Sequence, residues 1–298
     1  MSKQNSDSIQ RFVFEAHHIR GAIVHLDDTY LDATQVGDYE GPVKKLLGES
    51  LAALCLLSCR MKFEGVMSLQ LKTEGPLSFL IVQAKDGFML RGSAHCEADE
   101  VFDDFKLLTG GEGTLTINLD HKLNKEPYQG VVKLTGKTLS DTVTEYLDAS
   151  EQLASAVYLF ADEDKAAGLM LQKMPVDKQE DVDEQERYWQ HLLALTQTID
   201  KQELLKLDKI DMLHRLYHQE DIKVFDPKAV SYRCFCTQSL MESALRTIPY
   251  QELLEMLEEQ TKIKVKCEFC QKSFSFDKID IARIYHDGSL PMSSETKH

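Results

Sequence analysis

Two short stretches near the C-terminal end carry four cysteines: SYRCFC at residues 231–236 and KCEFCQ at residues 266–271. They form one C-x-C pair and one C-x-x-C pair, and both thiols of such a pair can turn toward the same ion. Zinc prefers four tetrahedral ligands, and four thiolates close its coordination without leaving a position for a catalytic water. The spacing therefore predicts one structural Zn²⁺ in the reduced protein, held by Cys234, Cys236, Cys267 and Cys270.

The residues around the two pairs predict a small domain over residues 231–287. Residues 237–260 predict two short helices separated near Pro249. Residues 263–277, IKVKCEFCQKSFSFD, alternate apolar and polar on either side of the second pair, which predicts a hairpin with the thiols at its turn. A domain of this length buries too little surface to fold securely without its ion. Residues 288–298 are typical of a disordered tail.

The segment before the cysteines, residues 176–230, is rich in charge, with leucines grouped between the charged residues. This pattern predicts a connector of short helices, each with a narrow apolar stripe, and the acidic run EDVDEQE at 180–186 as a solvated face. Short helices of this kind are marginal alone and take most of their stability from packing against another surface. The connector is therefore expected to be metastable.

Residues 1–175 are expected to form an α+β domain, an antiparallel sheet with helices packed on it. Residues 41–62 have apolar residues at helical spacing and predict one long helix with a buried face. Residues 139–153 predict a second helix, with Ser140 as its N-cap. Strands are predicted within 66–95, where Gly75-Pro76 and Asp86-Gly87 mark turns, and at 113–120, 130–136, 156–161 and 169–175.

Composition narrows the classes of function. The chain has 34 Lys and Arg against 49 Asp and Glu, a net charge of −15, which disfavours binding to nucleic acid. The polar start MSKQNSDSIQ and the lack of a long apolar run predict a cytoplasmic protein that does not enter a membrane. Seven cysteines in a reducing compartment favour a metal site or a redox switch over a static disulfide framework.

The remaining candidate residues indicate no catalytic site, and the chain is not expected to be an enzyme. Cys55 and Cys59 share one face of the long helix and are interpreted as buried structural thiols, and Cys96 lacks a supporting constellation. TGGEGT at 109–114 lacks the Lys-Ser/Thr of a phosphate loop and predicts a hairpin turn. His214 and His218 have helical spacing but lack the glutamate of an H-E-x-x-H site, and with His191 they are interpreted as solvated.

Zinc-bound cysteines can act as a redox switch as well as a structural cross-link. Zinc holds the sulfurs as thiolates, the form that an oxidant attacks, and a sulfenic acid on one cysteine can be captured by a neighbouring thiol. Oxidation would then eject the metal and unfold the small domain. The neighbouring connector could lose its order in the same event and expose apolar surface.

Several further stretches, with the two cysteine pairs, resemble the 33 kDa chaperonin family, bacterial heat-shock holdases that oxidation activates. These stretches are RGAIVHL from Arg20, GPVKKLL from Gly41, YQGVVKLTGKTLSDTVTEYLDASEQL from Tyr128, LMLQKMP from Leu169 and LHRLYHQEDIKVFDP from Leu213. The resemblance covers nearly all of the 298 residues.

The resemblance implies a cytoplasmic, ATP-independent chaperone that is inactive while reduced and zinc-bound. In the family, peroxide with unfolding stress forms a disulfide within each pair, which here would join Cys234 to Cys236 and Cys267 to Cys270. Zinc then leaves, the connector unfolds, and the protein tends to form a homodimer. Unfolding client proteins are held until ATP-dependent foldase chaperones take them. Because melting of the connector would uncover the N-terminal sheet and the connector's own apolar faces, we expect clients to bind there.

Two other classes of function remain open on the residues alone. The four cysteines could form a static zinc adaptor that binds a protein or nucleic acid, although residues 231–287 offer no basic face. A thiol oxidoreductase could use the C-x-x-C pair, but that pair lies on a predicted hairpin and not after the first strand of a βαβ unit. Retention of zinc under mild oxidant would favour the adaptor, and turnover of a dithiol substrate would favour the oxidoreductase.

Overall fold

The computed structural model describes residues 7–39, 41–60, 63–97, 102, 104–121, 128–175 and 182–287. The chain separates into two compact units, one ending at Arg233 and one beginning at Cys234. The division into domains at 175 and 230 that the sequence suggests stays a prediction. The tail from 288 onward lies outside the described residues.

The first unit contains twelve strands and seven α-helices among its described residues. The strands are β1 Ser8–Phe14, β2 Ile19–Leu26, β3 Gly65–Thr73, β4 Leu77–Lys85, β5 Met89–Cys96, β6 Gly113–His121, β7 Tyr128–Lys133, β8 Ser155–Ala161, β9 Ala166–Lys173, β10 Lys223–Val224, β11 Lys228–Ala229 and β12 Ser231–Tyr232. The helices are α1 Asp28–Thr34, α2 Gly41–Ser58, α3 Phe105–Thr109, α4 Leu139–Glu151, α5 Val182–Thr196, α6 Lys201–Lys206 and α7 Lys209–Tyr217.

Two six-stranded sheets organise this unit. Sheet A has the order β10-β1-β2-β9-β8, with β11 also paired to β1. Sheet B has the order β12-β5-β4-β3-β6-β7, and only the pairing of β12 with β5 is parallel. The predicted α+β class with antiparallel pairing is confirmed. Strands β1 and β2 were not predicted, because they are recognisable mainly from their pairing with each other and from the pairing of β2 with β9.

The long helix α2 packs against strands of both sheets and forms the centre of the core. It ends at Ser58, and it is buried around most of its circumference and not on one face only. A helix that is apolar all round belongs in the interior of a protein. Among the described helices, none combines the length and apolar character needed to cross a membrane.

Two local predictions are wrong. Helix α4 is capped by Thr138, whose side chain accepts from the backbone N–H of Asp141, while the Ser140 hydroxyl accepts from the backbone of Leu159. Ser140 is therefore inside the helix and ties it to β8. TGGEGT is not a hairpin turn: it ends α3, where Gly110 has a φ of +69° that favours glycine, and leads into β6.

The connector covers one face of sheet A. Its three helices bury their apolar stripes against β1, β2 and β9, and its last part is extended as β10 and β11 along β1. The packed side chains, here called the connector cluster, are Trp189, Leu192, Leu204, Leu205, Met212, Leu213, Leu216 and Tyr217 from the connector and Phe12, Phe14, Ile19, Ile23, Ala156, Ala167, Leu169 and Leu171 from the sheet. The predicted helices are present, but the extended strands were not part of the prediction.

Replacing Leu213 with alanine is expected to loosen the connector, because Leu213 is only 1% exposed in the connector cluster. The cavity left behind should cost about 2–5 kcal/mol. Trp189 is the only tryptophan of the chain and is 4% exposed in the same cluster, so its emission during urea unfolding reports on the connector. Ile210→Ala is the matched control, because Ile210 is 50% exposed on the same helix. Equal effects of the two variants would contradict this packing.

Acid is expected to destabilise the first unit through His25. Burial, with help from Lys209 and Lys165 and against Asp27 and Asp208, lowers the pKa of His25 from 6.5 to about 4. Below pH 6.5 the unfolded chain binds a proton at His25 that the folded chain refuses, so the free energy of unfolding falls as the pH drops toward 4. The full effect is roughly 3 kcal/mol.

Urea unfolding at a series of pH values measures this loss. His25→Leu should flatten the decline between pH 6.5 and 4, whereas His95→Leu, at an exposed position, should keep it. An unchanged slope in His25→Leu would show that other groups carry the acid sensitivity.

Candidate metal centre

The second unit brings the four predicted cysteines to one point. Their Sγ atoms all lie within 4.8 Å of one another, and among the described residues this is the one group of three or more side chains placed to hold a metal ion. The Sγ atoms of Cys234 and Cys267 are 3.7 Å apart, and those of Cys236 and Cys270 are 3.5 Å apart.

A β-hairpin positions the second pair. Strands β13 Ile263–Lys266 and β14 Ser273–Phe276 pair antiparallel, as predicted, and the cysteines lie in the turn. The backbone N–H of Cys267 donates to Lys272 O at 2.9 Å, and the N–H groups of Cys270 and Gln271 both donate to Cys267 O. Gln271 has a φ of +57°, which lets the chain reverse immediately after Cys270. The turn thus directs both thiols to one side.

The first pair begins the second unit and directly precedes its first helix. Arg233 donates its backbone N–H to Leu90 O in sheet B, and Cys234 follows directly. After Cys236, the Thr237 side chain accepts from the N–H of Leu240 and begins α8 Gln238–Leu245. Helix α9 Tyr250–Glu259 then leads to the hairpin, and α10 Lys278–Asp287 follows it. The first pair is therefore fixed by a strand on one side and a capped helix on the other.

The apolar core of the second unit is small. It consists of six buried side chains, Leu245, Leu253, Ile263, Phe276, Ile281 and Ile284, with partly buried neighbours. Cys267 is itself only 3% exposed and so part of the interior. Little apolar surface is available to offset the conformational entropy of ordering this unit. Cross-linking at the cysteines is what can supply the missing stability.

The separations between the sulfur atoms fit a tetrahedral ion. With a Zn–S bond of about 2.3 Å, the sulfurs of a tetrahedral four-thiolate site lie about 3.8 Å apart. The 3.7 Å and 3.5 Å separations are close to this value and far longer than a disulfide bond of about 2.05 Å. All seven cysteines have free thiols. The donor set and its spacing therefore suit a metal ion.

The electrostatics of the cysteine cluster also favour a bound cation. Burial and then the neighbouring thiols, chiefly that of Cys270, raise the pKa of Cys236, and burial with the thiol of Cys234 raises that of Cys267. Four thiolates this close repel one another, so they become anions together only when a positive charge lies among them.

The other candidate residues do not assemble into a site. Cys55 is completely buried in α2, and burial raises its pKa. Cys59 donates its thiol to Leu56 O at 3.1 Å, and burial raises its pKa to about 11. Cys96 is the last residue of β5 and partly exposed, with no described side chain placed to activate it.

The connector histidines also do not form a metal site within the described residues. The rings of His214 and His218 lie 5.9 Å apart, and His191 contacts the Glu220 carboxylate at 2.9 Å. One group had no signal in the sequence: Arg11 and Arg20 lie on neighbouring strands and line the same cavity as Arg60 at the end of α2. Since these positions are distant in the chain and follow no common motif, only the fold reveals them.

The reduced protein is expected to bind one Co²⁺ per chain with the intense absorption of a tetrahedral thiolate complex, because four sulfurs converge at the required separation. Cys267→Ser should lower the affinity by at least about tenfold, since it removes one of the four ligands. Cys96→Ser is the matched control, because Cys96 lies outside the cluster. A spectrum typical of octahedral Co²⁺, or equal binding by both variants, would contradict the assignment.

Comparison with known proteins agrees with this architecture. The family model described as "Hsp33 protein" matches residues 7–277. The 33 kDa chaperonin of Shewanella woodyi is 36% identical over 293 residues, covering 98% of this chain and 99% of that protein. The 33 kDa chaperonin of Nitrosococcus oceani is 35% identical over 294 residues, covering 99% of each chain.

A solved structure supports the fold. The crystal structure of the 33 kDa chaperonin from Thermotoga maritima matches with a TM-score of 0.78 at 20% identity, over 95% of this chain and 99% of that one. At that identity the likeness concerns the fold alone. The family model and the relatives above 30% identity nevertheless extend over almost the whole sequence, and this chain belongs to the Hsp33 family.

Proposed function

We propose that this protein is a redox-regulated, ATP-independent holdase chaperone and not an enzyme. The reduced form binds one Zn²⁺ through Cys234, Cys236, Cys267 and Cys270 and is inactive. Membership of the Hsp33 family and relatives named 33 kDa chaperonin support a chaperone. The observation that carries the switch is the convergence of four free thiols in a unit whose apolar core is too small to replace them.

Zinc suits this donor set better than the other common divalent cations. Thiolates are soft ligands that favour zinc, whereas calcium, magnesium and manganese prefer oxygen donors. When bound, the ion supplies a cross-link between the two cysteine pairs and a positive charge that keeps their sulfurs deprotonated. Because all four positions are sulfur, none is left for a substrate or a water.

Oxidation converts the four ligands into two disulfides, Cys234 with Cys236 and Cys267 with Cys270. In each pair one thiolate attacks the O–O bond of hydrogen peroxide, forming a sulfenic acid and, after protonation, one water. The second thiol then displaces the hydroxyl as another water and forms the S–S bond. Each pair loses two electrons and reduces one peroxide, so two peroxides complete the change. Disulfide sulfurs carry no anionic charge and no longer hold the ion.

The covalent chain carries this change toward the connector. Strand β12 has only two residues, and Cys234 follows the hydrogen bond from Arg233 to Leu90 O without an intervening loop. In this proposal, disorder beginning at Cys234 releases β12 and then the short pairings of β10 and β11. The three connector helices lose their fixed ends and leave sheet A.

The departing connector would uncover the apolar face of sheet A. Phe12 and Phe14 pack edge to face at 5.8 Å, and both contact the ring of Tyr217 from the connector. Without the connector, these rings and the neighbouring leucines of β9 form an exposed apolar patch, which is the kind of surface that binds unfolded chains. The proposed client site therefore comprises sheet A and the apolar stripes of the released helices.

The proposal extends to assembly and cellular context. The oxidised protein forms a homodimer through newly exposed apolar surface, holds unfolding clients in the cytoplasm and passes them to ATP-dependent foldase chaperones. A net charge of −15 keeps nucleic acid from competing for this surface.

Peroxide at elevated temperature is expected to release one zinc per chain and to activate suppression of client aggregation. The measurement follows zinc with a colorimetric chelator, light scattering of a thermally unfolding enzyme, and the emission of Trp189, which should shift to the red as the connector leaves. Size-exclusion chromatography should show the homodimer only after oxidation. Cys96→Ser is the control variant and should switch normally.

The outcomes separate the alternatives. A zinc-loaded, reduced protein that protects the client as well as the oxidised form would rule out the switch. Zinc retained under peroxide, with no gain in protection, would favour a static zinc adaptor. Catalytic turnover of a dithiol substrate would point to an oxidoreductase.

A further inference from the structure

A cavity of about 540 Å³ opens in the first unit, away from the four cysteines. It lies among β1, β2, β9 and the C-terminal end of α2, and Phe225 of the connector forms part of its wall. This volume is in the range of sites for small molecules, roughly 300–1,000 Å³. The proposed redox mechanism assigns no ligand to it.

Three guanidinium groups, those of Arg11, Arg20 and Arg60, line this cavity. Arg60 is bonded to the Glu151 carboxylate, and Arg20 donates from Nε and Nη2 to Gln172 Oε1 at 3.1 Å and 2.5 Å. Gln172 in turn donates to Glu151 at 3.0 Å. The single negative charge of Glu151 therefore faces the positive charges of both Arg20 and Arg60, and it neutralises them only in part.

Arg11 has no ion pair among the described residues, and its guanidinium carbon lies 5.4 Å from the centre of the Phe225 ring. The other carboxylate at the cavity, Glu15, pairs instead with Lys223 at 2.6 Å on the exposed rim. In a chain with a net charge of −15, the cavity is a local excess of positive charge. Anions are drawn to such a site.

Two of the arginines also have buried nitrogen atoms without an acceptor. The Nε atoms of Arg11 and Arg60 are buried and make no hydrogen bond, and the Arg60 side chain is only 5% exposed. A buried donor left unpaired costs free energy. An acceptor that entered the cavity and bonded to either donor would recover that free energy. Burial and then the charge of Arg60 lower the pKa of Arg20, while Glu151 opposes this shift.

The rest of the lining is largely apolar. Phe12, Val13, Met170, Met174 and Phe225 also line the cavity. Methionine side chains adapt to ligands of irregular shape. A bound molecule would thus meet guanidinium groups together with hydrocarbon, aromatic and thioether surfaces.

We propose that this cavity binds a small amphipathic oxyanion, a carboxylate or phosphate ester on an apolar body, and that the ligand fastens the connector to sheet A. Guanidinium groups match both oxyanions with paired hydrogen bonds. Phe225 donates its backbone N–H to Arg11 O at 2.9 Å, and Gln10 donates to Phe225 O. A ligand that contacts Phe225 as well as Arg11 binds only the docked connector, which it stabilises by mass action.

Isothermal titration of the reduced full-length protein tests the site. Octanoate, well below its micelle-forming concentration, and phenyl phosphate are the probes, and whichever binds identifies the oxyanion. One molecule per chain is expected to bind, and Arg11→Gln should weaken it about tenfold or more. Arg187→Gln is the matched control, since Arg187 lies exposed on α5 and outside the cavity. Octanol lacks the anionic group and inorganic phosphate lacks the apolar body, so both should bind far more weakly.

Hydrogen exchange measures the effect on the connector. The ligand should slow exchange of the Phe225 amide in the wild type and not in Arg11→Gln, whereas a nonspecific effect would appear in both. Absence of binding by both probes, equal binding by Arg11→Gln and Arg187→Gln, or octanol binding as tightly as octanoate would overturn the proposal. Both measurements use reduced protein, so they can succeed or fail independently of the redox switch.

Discussion

The convergence of four sulfur atoms is the constraint on which the second unit depends. The hairpin turn fixes one pair and the end of β12 with the cap of α8 fixes the other, while only six buried apolar side chains support the fold between them. Thiols held this close disfavour ionisation unless a cation is present. In the proposed mechanism, the order of the unit is therefore conditional on what its sulfurs bind, which is the property a switch needs.

The first unit has two apolar clusters, a core around α2 and the connector cluster on sheet A. Helix α2 is buried around most of its circumference between strands of both sheets and could not leave without dissolving the core. The connector helices each bury one stripe, and α6 and α7 are six and nine residues long, too short to persist alone. They are stable only while docked. A surface with the apolar character of a core is in this way covered by short helices, which leave it in the proposed mechanism.

Sequence predicted the parts of this structure that local spacing determines. The four cysteines, the hairpin around Cys267 and the helix α2 follow from ligand spacing or from periodicity of 2 and 3.6 residues. The pairing of β2 with β9 was not predictable in this way, because it joins segments about 150 residues apart and neither β1 nor β2 alternates cleanly. Thr138 rather than Ser140 caps α4 because an acidic residue three positions later completes a capping box. The arginine cavity had no local signal at all.

The selectivity of oxidation follows from where each thiol lies. A thiolate reacts with peroxide and a thiol does not, so reactivity depends on what lowers the pKa of each cysteine. Cys55 is sealed in α2, and burial keeps the pKa of Cys59 at about 11 despite three nearby arginines. The four clustered cysteines also resist ionisation until a divalent cation offsets the repulsion among their thiolates. In the proposed mechanism, the ion that holds the domain together is thus also what makes its ligands, and not Cys55 or Cys59, the targets of the oxidant.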